Sequence, residues 1–308
     1  MTSEAGHPWS KGTELRRLAE EAKQVYVDSL DPETSRQSWH AALDDVSHAF
    51  ADQLREALQA GRLEKTIQSS GAITELLRQL TAPPLSQDQF SLICPDYSKG
   101  AEKNARPVSV DKAVVVAATF RRWLDPRIIE AFDSDHIERI TQVAAGPLYI
   151  LARQKFETDR RTKAAAAQEQ AVIDLLESLG FERAPSRVID QPWTVGENCY
   201  MHKTTFSAAV KSTAEVDIAI GLPGGRLLAI ECKVSNDATN SIKRINDVLK
   251  KREAWERGYG QVLTTGAVLS GVIAGKDIAR LAAADVCVFF SHSLQHLQAY
   301  LSRASYTN

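Results

Sequence analysis

The sequence predicts an α/β protein, with a mainly helical region over residues 1–150 and an α/β domain over residues 151–308. Three observations predict it. Through the first 180 residues or so, apolar side chains recur at three- and four-residue intervals, the period of helices with one packed face. From Cys199 to Phe290, short segments rich in apolar and β-branched residues alternate with helix-period stretches, the pattern of strands joined by helices. A length of 308 residues also suits two domains of about 150 each. The seam lies between Ala145 and Arg160.

Residues 11–30 form the first predicted helix, with Leu15, Leu18, Ala22 and Val25 on one face. A second begins near Ser35 and is striped by Trp39, Leu43, Val46, Phe50 and Leu54; a third covers 71–80. Pro83 and Pro84 then stop helical structure. Residues 91–108 keep no period and predict an irregular connection, whose Lys99, Lys103 and Arg106 suit either a solvated linker or contact with a phosphate. Residues 110–156 are again helical, with breaks at Pro126 and Pro147. A helix over 158–179 packs through Gln168, Ala171, Val172, Leu175 and Leu176 and stops at Gly180. Strands are predicted over 199–206, 214–221 and 226–233, then a polar helix over 236–257 and a strand over 261–269. A short helix over 276–283, a strand over 285–290 and a last helix over 293–302 complete the pattern.

Lys and Arg total 37 against 39 Asp and Glu, a formal net charge of -2. That excludes a protein held to nucleic acid by bulk charge and leaves room for a local basic groove. Residues 1–150 carry 17 basic and 22 acidic side chains and residues 151–257 carry 17 and 15, so the second half is the better place for a polyanion. Cys94, Cys199, Cys232 and Cys287 are far apart and form no CxxC pair, which excludes a disulfide framework and a closed zinc site. The opening MTSEAGHPWSKG has no apolar signal core, and no run of 18 apolar residues occurs. The expectation is a cytoplasmic protein with no membrane partner. Trp9, Trp39, Trp123, Trp193 and Trp255 are scattered rather than interleaved with basic residues, so no platform for stacking single-stranded bases is visible.

Chemistry concentrates in AEVDIAIGLPGGRLLAIECKVSN, residues 214–236. Val216, Ile218 and Ile220 alternate with Glu215, Asp217 and Ala219, the period of a strand with one polar face. Pro223-Gly224-Gly225 is a turn signal, and Leu227–Ile230 forms a buried strand ending in Glu231-Cys232-Lys233. The two-residue period puts Glu231 and Lys233 on one face and turns Cys232 into the packing. In an antiparallel hairpin Asp217 comes near both. Three ionisable groups at the end of an apolar sheet are costly unless paired or given a cation. Two carboxylates supply hard oxygen ligands for Mg²⁺, with water and a phosphate oxygen completing its shell. Lys233 can hold the attacking water or pair with a phosphate oxygen; as a proton acceptor it would need a lowered pKa.

On these residues the chain resembles the PD-(D/E)XK nuclease superfamily, and VDIAIGLPGGRLLAIECKVSNDATNSIKRIND looks like a type II restriction endonuclease, over roughly residues 150–290. Val216 stands where that pattern often has proline. The resemblance implies a mixed central sheet flanked by helices, with Asp217, Glu231 and Lys233 catalytic and Asp217 and Glu231 on the metal. It implies Mg²⁺-dependent hydrolysis of DNA phosphodiesters to 5′-phosphate and 3′-hydroxyl ends. It also implies a homodimer, one site per strand, paired in function with a cognate DNA methyltransferase. The superfamily often adds an acid from the helix before the sheet; Glu169 is the candidate, with Gln168 and Asp174 competing and helix solvation as the alternative.

Glu215 is either an outer metal ligand through water or a solvated strand-end acid. His202 has no second histidine at a useful spacing, and Lys203 suits a phosphate contact. In the polar helix, Ser235 and Asn236 offer caps, Asp237 falls in the first turn, and Ile242, Ile245, Val248 and Leu249 make the packed stripe. Ser235, Asn236, Asn240, Ser241, Lys243 and Arg244 are the DNA-binding candidates, combining amide and guanidinium base readout with phosphate contacts; a solvated helix back is the alternative. The sequence thus predicts a Mg²⁺-dependent, site-specific endonuclease of double-stranded DNA, whose helical first part serves DNA recognition, dimerisation or both. The alternatives are a nuclease of the same superfamily directed by DNA structure or modification, and a non-catalytic DNA-binding protein.

Overall fold

The computed structural model describes residues 12–58, 63–133, 137–207 and 214–306. Trp9 lies outside the described residues, as do the side chains of Phe50 and Leu54. In chain order the helices are α1 (Gly12–Asp28), α2 (Pro32–Leu58), α3 (Leu63–Ser69), α4 (Ile73–Gln79), α5 (Gln87–Ile93), α6 (Lys99–Lys103), α7 (Val110–Trp123), α8 (Pro126–Asp133) and α9 (Ile137–Ser178). They are followed by β1 (Glu182–Arg183), β2 (Cys199–Thr205), β3 (Glu215–Leu222), β4 (Arg226–Ser235), α10 (Ala238–Tyr259), β5 (Leu263–Gly271), α11 (Gly275–Ala283), β6 (Cys287–Phe290) and α12 (Gln295–Tyr306). Two compact units result, one formed by Met1–Asp31 with Arg160–Asn308 and the other by Pro32–Asp159.

The unit over Pro32–Asp159 is helical among its described residues. Its core gathers Leu63, Ile67, Leu77, Phe90, Val116, Phe120, Ile128 and Leu148, with the Phe90 and Phe120 rings stacked at 4.2 Å. Residues 91–108, expected to be irregular, instead carry the end of α5, all of α6 and a buried polar centre. Glu102 is the reason. Its carboxylate accepts from Arg78 Nη2 (2.6 Å) and Nε (3.1 Å), Thr74 Oγ1 (2.8 Å), Tyr97 Oη (2.5 Å) and Gln87 Nε2 (2.9 Å). One buried acid therefore fastens this segment to α4. Pro126 opens α8, where a missing N–H costs nothing, whereas Pro147 lies inside α9 and does not break it. Ala144, Leu148 and Leu151 of the same helix pack on either side of Pro147, and that burial offsets the lost hydrogen bond.

In the other unit the hairpin signal at Pro223-Gly224-Gly225 is realised. Gly224 and Gly225 take φ of 73° and 68°, a region open to glycine, and β3 returns antiparallel as β4 with Ile218 opposite Ile230. The six strands lie in the order β1-β2-β3-β4-β5-β6. The β1–β2, β4–β5 and β5–β6 pairs are parallel, while β2–β3 and β3–β4 are antiparallel. The sheet is mixed and helix-flanked, as the resemblance implies.

Alternation along the strands separates two buried faces. Ile218, Ile220, Leu228, Ile230 and Cys232 pack with Val172, Ile173 and Leu176 of α9 and Leu297 and Leu301 of α12. On the opposite face Ala219, Leu227 and Ala229 meet Trp255 and Tyr259 of α10. Farther along it, Ala267, Leu269, Val288 and Phe290 meet Ile245 and Val248 of α10, Ile278 and Leu281 of α11, and Leu15, Leu18, Ala19 and Ala22 of α1. This corrects the assignment of residues 11–30 to the helical region: the apolar face of α1 covers the sheet. At the ends of β4 and β5 the chains nearly touch, since a Cβ on Gly271 (φ +84°) would lie 2.1 Å from the Ser235 carbonyl oxygen.

Candidate active site

β4 sends Leu227 and Ala229 under α10, and the same period carries Glu231 and Lys233 to that face while Cys232 points to the α9 side. β3 and β4 stay in register as far as Ile218 opposite Ile230. One step beyond, the backbone N–H of Cys232 is taken by the side chain of Asp217, at 2.8 Å from Oδ2. This bond holds Asp217 beside the end of β4.

Three expected residues therefore converge. Lys233 Nζ donates to Glu231 Oε2 at 2.6 Å and lies 3.8 Å from Asp217 Oδ2. Two residues of α10 join them, and neither was singled out for this role from the sequence. Asp247 Oδ2 is 3.5 Å from Lys233 Nζ, and Lys251 Nζ donates to Glu231 Oε2 at 2.8 Å. The Glu231 side chain is 0% exposed, that of Asp217 24% and that of Asp247 48%, so the cluster grades from a buried base to a wetted rim. Glu231 Oε1 is buried and has no hydrogen-bond partner among the described residues.

Burial pushes the Glu231 carboxyl up, helped by the nearby Asp217 charge, while Lys233 and Lys251 pull it back. For Lys233 burial works against the charge, but Glu231 and Asp217 outweigh it and hold the ammonium above its ordinary range. In this arrangement Lys233 is a cation and hydrogen-bond donor. Burial also pushes the Cys232 thiol well up, which leaves no thiolate for nucleophilic chemistry.

The fourth residue expected at the site comes from α9, and its charge, like that of Asp217, is felt at Cys232. Glu169 is buried on α9, where Oε2 meets His202 Nε2 at 2.8 Å and Lys203 Nζ at 3.1 Å. It pairs with β2 residues, and no group of three or more His, Cys, Asp and Glu side chains among the described residues could hold a metal ion. Its competitor Gln168 spends its amide on the Val268 carbonyl and Ser291 Oγ. Glu215 is exposed at the start of β3. Asp217 and Glu231 would offer a divalent ion two carboxylates here. Mg²⁺ tolerates that, since it keeps several waters and takes phosphate oxygens from substrate. The unpartnered Glu231 Oε1 and the partly exposed Asp217 carboxylate fit such an ion.

The XamI restriction endonuclease family model matches residues 60–290, a span that contains every member of this cluster. The chain belongs to the XamI restriction endonuclease family. The type II restriction enzyme XamI of Xanthomonas campestris pv. amaranthicola is 32% identical over 206 residues, covering 64% of this chain and 72% of that enzyme. The resemblance to a type II restriction endonuclease, a DNA hydrolase, therefore holds. Among solved structures, protein VC1899 from Vibrio cholerae aligns with a TM-score of 0.30 at 12% identity, covering 82% of this chain and 57% of that one; so slight a likeness adds nothing to the fold described above.

In this XamI-family chain the DNA-binding candidates in and just before α10 separate into two groups. Lys243 and Arg244 are exposed, Asn236 is half-buried, and Asn240 is exposed but its side-chain amide donates to Asp237 Oδ2 at the helix start. Asp237, rather than Ser235 or Asn236, is the N-cap, accepting the Asn240 N–H at 2.8 Å. Ser235 and Ser241 are buried. Ser235 Oγ donates to the Asp237 carbonyl, and Ser241 Oγ donates to Asp277 Oδ2 at 2.7 Å. Ile242, expected in the packed stripe, is exposed; the buried line runs Ser241, Ile245, Val248, Lys251, Trp255, Tyr259. The signal that could have found Lys251 is its helical spacing between Val248 and Trp255 on that line. Because Ser241 serves a buried acid, Ser241→Ala should cost about 1–3 kcal/mol in urea unfolding, with DNA affinity in a filter-binding titration unchanged.

Proposed function

We propose that this member of the XamI family is a Mg²⁺-dependent type II deoxyribonuclease that cuts double-stranded DNA at a short specific sequence. The observation that carries the reading is the meeting of Asp217, Glu231 and Lys233 at the end of the β3–β4 ladder, with one Glu231 oxygen unpartnered. Asp217 and Glu231 would hold the divalent ion, which when bound offsets phosphate charge and lowers the pKa of a bound water. Lys233, kept cationic by Glu231 and Asp217, donates to a non-bridging phosphate oxygen and orients the attacking water. Water adds to phosphorus and the P–O3′ bond breaks, giving a 5′-phosphate and a 3′-hydroxyl. Glu169, the acid of α9 that pairs with His202 and Lys203, would be the additional acid beside the metal, with Lys203 near the DNA backbone. Exposed Lys243 and Arg244, with Asn236 and Asn240, are the part of α10 offered to DNA.

Two-fold symmetric cleavage of a duplex requires a site for each strand, so the working form is a homodimer, with the helical unit over Pro32–Asp159 given to DNA recognition, dimerisation or both. The enzyme acts in the cytoplasm, paired with a cognate methyltransferase that protects host DNA. No helix among the described residues is long and apolar enough to cross a membrane. Plasmid and phage DNA incubated with the chain, with and without Mg²⁺, should give discrete, reproducible fragments only with the metal, and sequencing of their ends should reveal one common site. Asp217→Asn should remove the bands. Smears or structure-dependent nicks would instead mean a nuclease directed by DNA structure or modification, and DNA retention with no cleavage would mean a binding protein.

A further inference from the structure

We infer that Lys251 is a positioning residue of the cleavage site: it clamps Glu231 by Oε2, so that Oε1 remains available and Lys233 is released to the substrate. The inference rests on the reading of Asp217, Glu231 and Lys233 as that site. Two ammonium groups share a single carboxylate oxygen, Lys233 at 2.6 Å and Lys251 at 2.8 Å, while the other oxygen has neither. One cation suffices to pair one buried carboxylate. A second on the same oxygen has a use when the first must leave, because a buried charge without a partner is strongly unfavourable.

The two lysines are not equivalent. Lys251 rises from the buried line of α10 between Val248 and Trp255, and its Nζ also lies 5.9 Å from the centre of the fully buried Trp255 ring. A carboxylate on one side and a ring face on the other fix it in place. Lys233 is buried to the same degree but has Asp217 and Asp247 as further partners, both more exposed than Glu231. It is the one that can exchange Glu231 for a phosphate oxygen. Among the described residues the ion-pair partner of Lys251 is Glu231, and it acts through Glu231.

The test uses the full chain with Lys251→Met, which keeps the stem against Trp255 and removes the charge. Lys233 still pairs Glu231 in this variant, so the fold should survive. Mn²⁺ binding to the DNA-free protein is read by electron paramagnetic resonance, single-turnover cleavage by gel, and DNA affinity by filter binding in Ca²⁺. Loss of an outer anchor typically costs 10–100-fold in metal affinity or activity, and about that loss is expected in Mn²⁺ affinity and in cleavage rate, with DNA affinity unchanged. A purely structural Lys251 would lower the melting temperature and leave Mn²⁺ affinity and cleavage at parental values, which overturns the inference. Should the Met variant not fold, Lys251→Gln keeps a weaker, uncharged donor and should show a smaller loss in the same two readouts, parental values again being fatal. Asp217→Asn, run alongside, separates the two readings. If it binds Mn²⁺ and cleaves like the parent, the site itself is wrong; if it loses both while Lys251→Met keeps both, only the role of Lys251 falls.

Discussion

Lys233→Ala is expected to slow DNA cleavage by about 10²–10³-fold, the usual cost of removing one preorganised donor from a developing charge. The protein should stay folded and retain DNA, and the reason lies beneath it. Glu231 keeps Lys251 at 2.8 Å when Lys233 is gone, so no buried carboxylate is stranded. Most of the affinity for a duplex comes from many phosphate contacts, of which Lys233 can make only one. Single-turnover cleavage with a fixed DNA, beside filter binding in Ca²⁺, separates the two effects. Cleavage at the parental rate would falsify the assignment of Lys233.

The second large effect belongs to the helical unit. Glu102→Ala should destabilise it by about 3–5 kcal/mol at pH 7, the usual cost of breaking a buried ion pair by removing one partner. Arg78 would keep the Leu85 carbonyl at 2.9 Å but lose its bidentate acid, and Thr74, Tyr97 and Gln87 would lose an acceptor. The pH dependence has a definite sign. Burial pushes the Glu102 carboxyl up, but hydrogen bonds from Arg78, Tyr97 and Thr74 and the Arg78 charge outweigh it, and the net shift is below the ordinary value of 4.5. A depressed carboxyl contributes stability above its unfolded pKa and loses it as pH falls through the folded one. Urea unfolding of parent and variant should therefore show a gap that is constant near neutrality and narrows below about pH 4.5. A gap that widened on acidification would mean that the pair does not hold this unit together.

What could be read in the sequence was what local periodicity encodes. Alternation in Glu215–Leu222, the Pro-Gly-Gly turn and the polar end of Arg226–Ser235 gave the hairpin, its register and the three residues that meet there. Features set by distant partners were hidden. Order in residues 91–108 depends on a carboxylate reaching back 24 residues to Arg78, and Ser241 is buried because Asp277, 36 residues on, accepts its hydrogen bond. Pro147 reads locally as a stop, yet packing on both sides of it decides the outcome. The amphipathic period of α1 says that one face is covered and is silent about what covers it. Lys251 was hidden differently: a lysine in a lysine-rich helix is taken as solvated unless the apolar stripe is followed past Leu249.

The return of α1 to the sheet bears on how this enzyme can be taken apart. Leu15, Leu18, Ala19 and Ala22 close over Leu269, Phe290 and Ile278, although residues 32–159 intervene in the chain. The helical unit thus interrupts the chain of the sheet-bearing unit and is not a module placed ahead of it. A gene fragment opening at Arg160 would leave a greasy strip of that layer bare and invite aggregation. Chimaeras that replace the helical unit should splice at both junctions and carry Gly12–Asp28 along with the sheet.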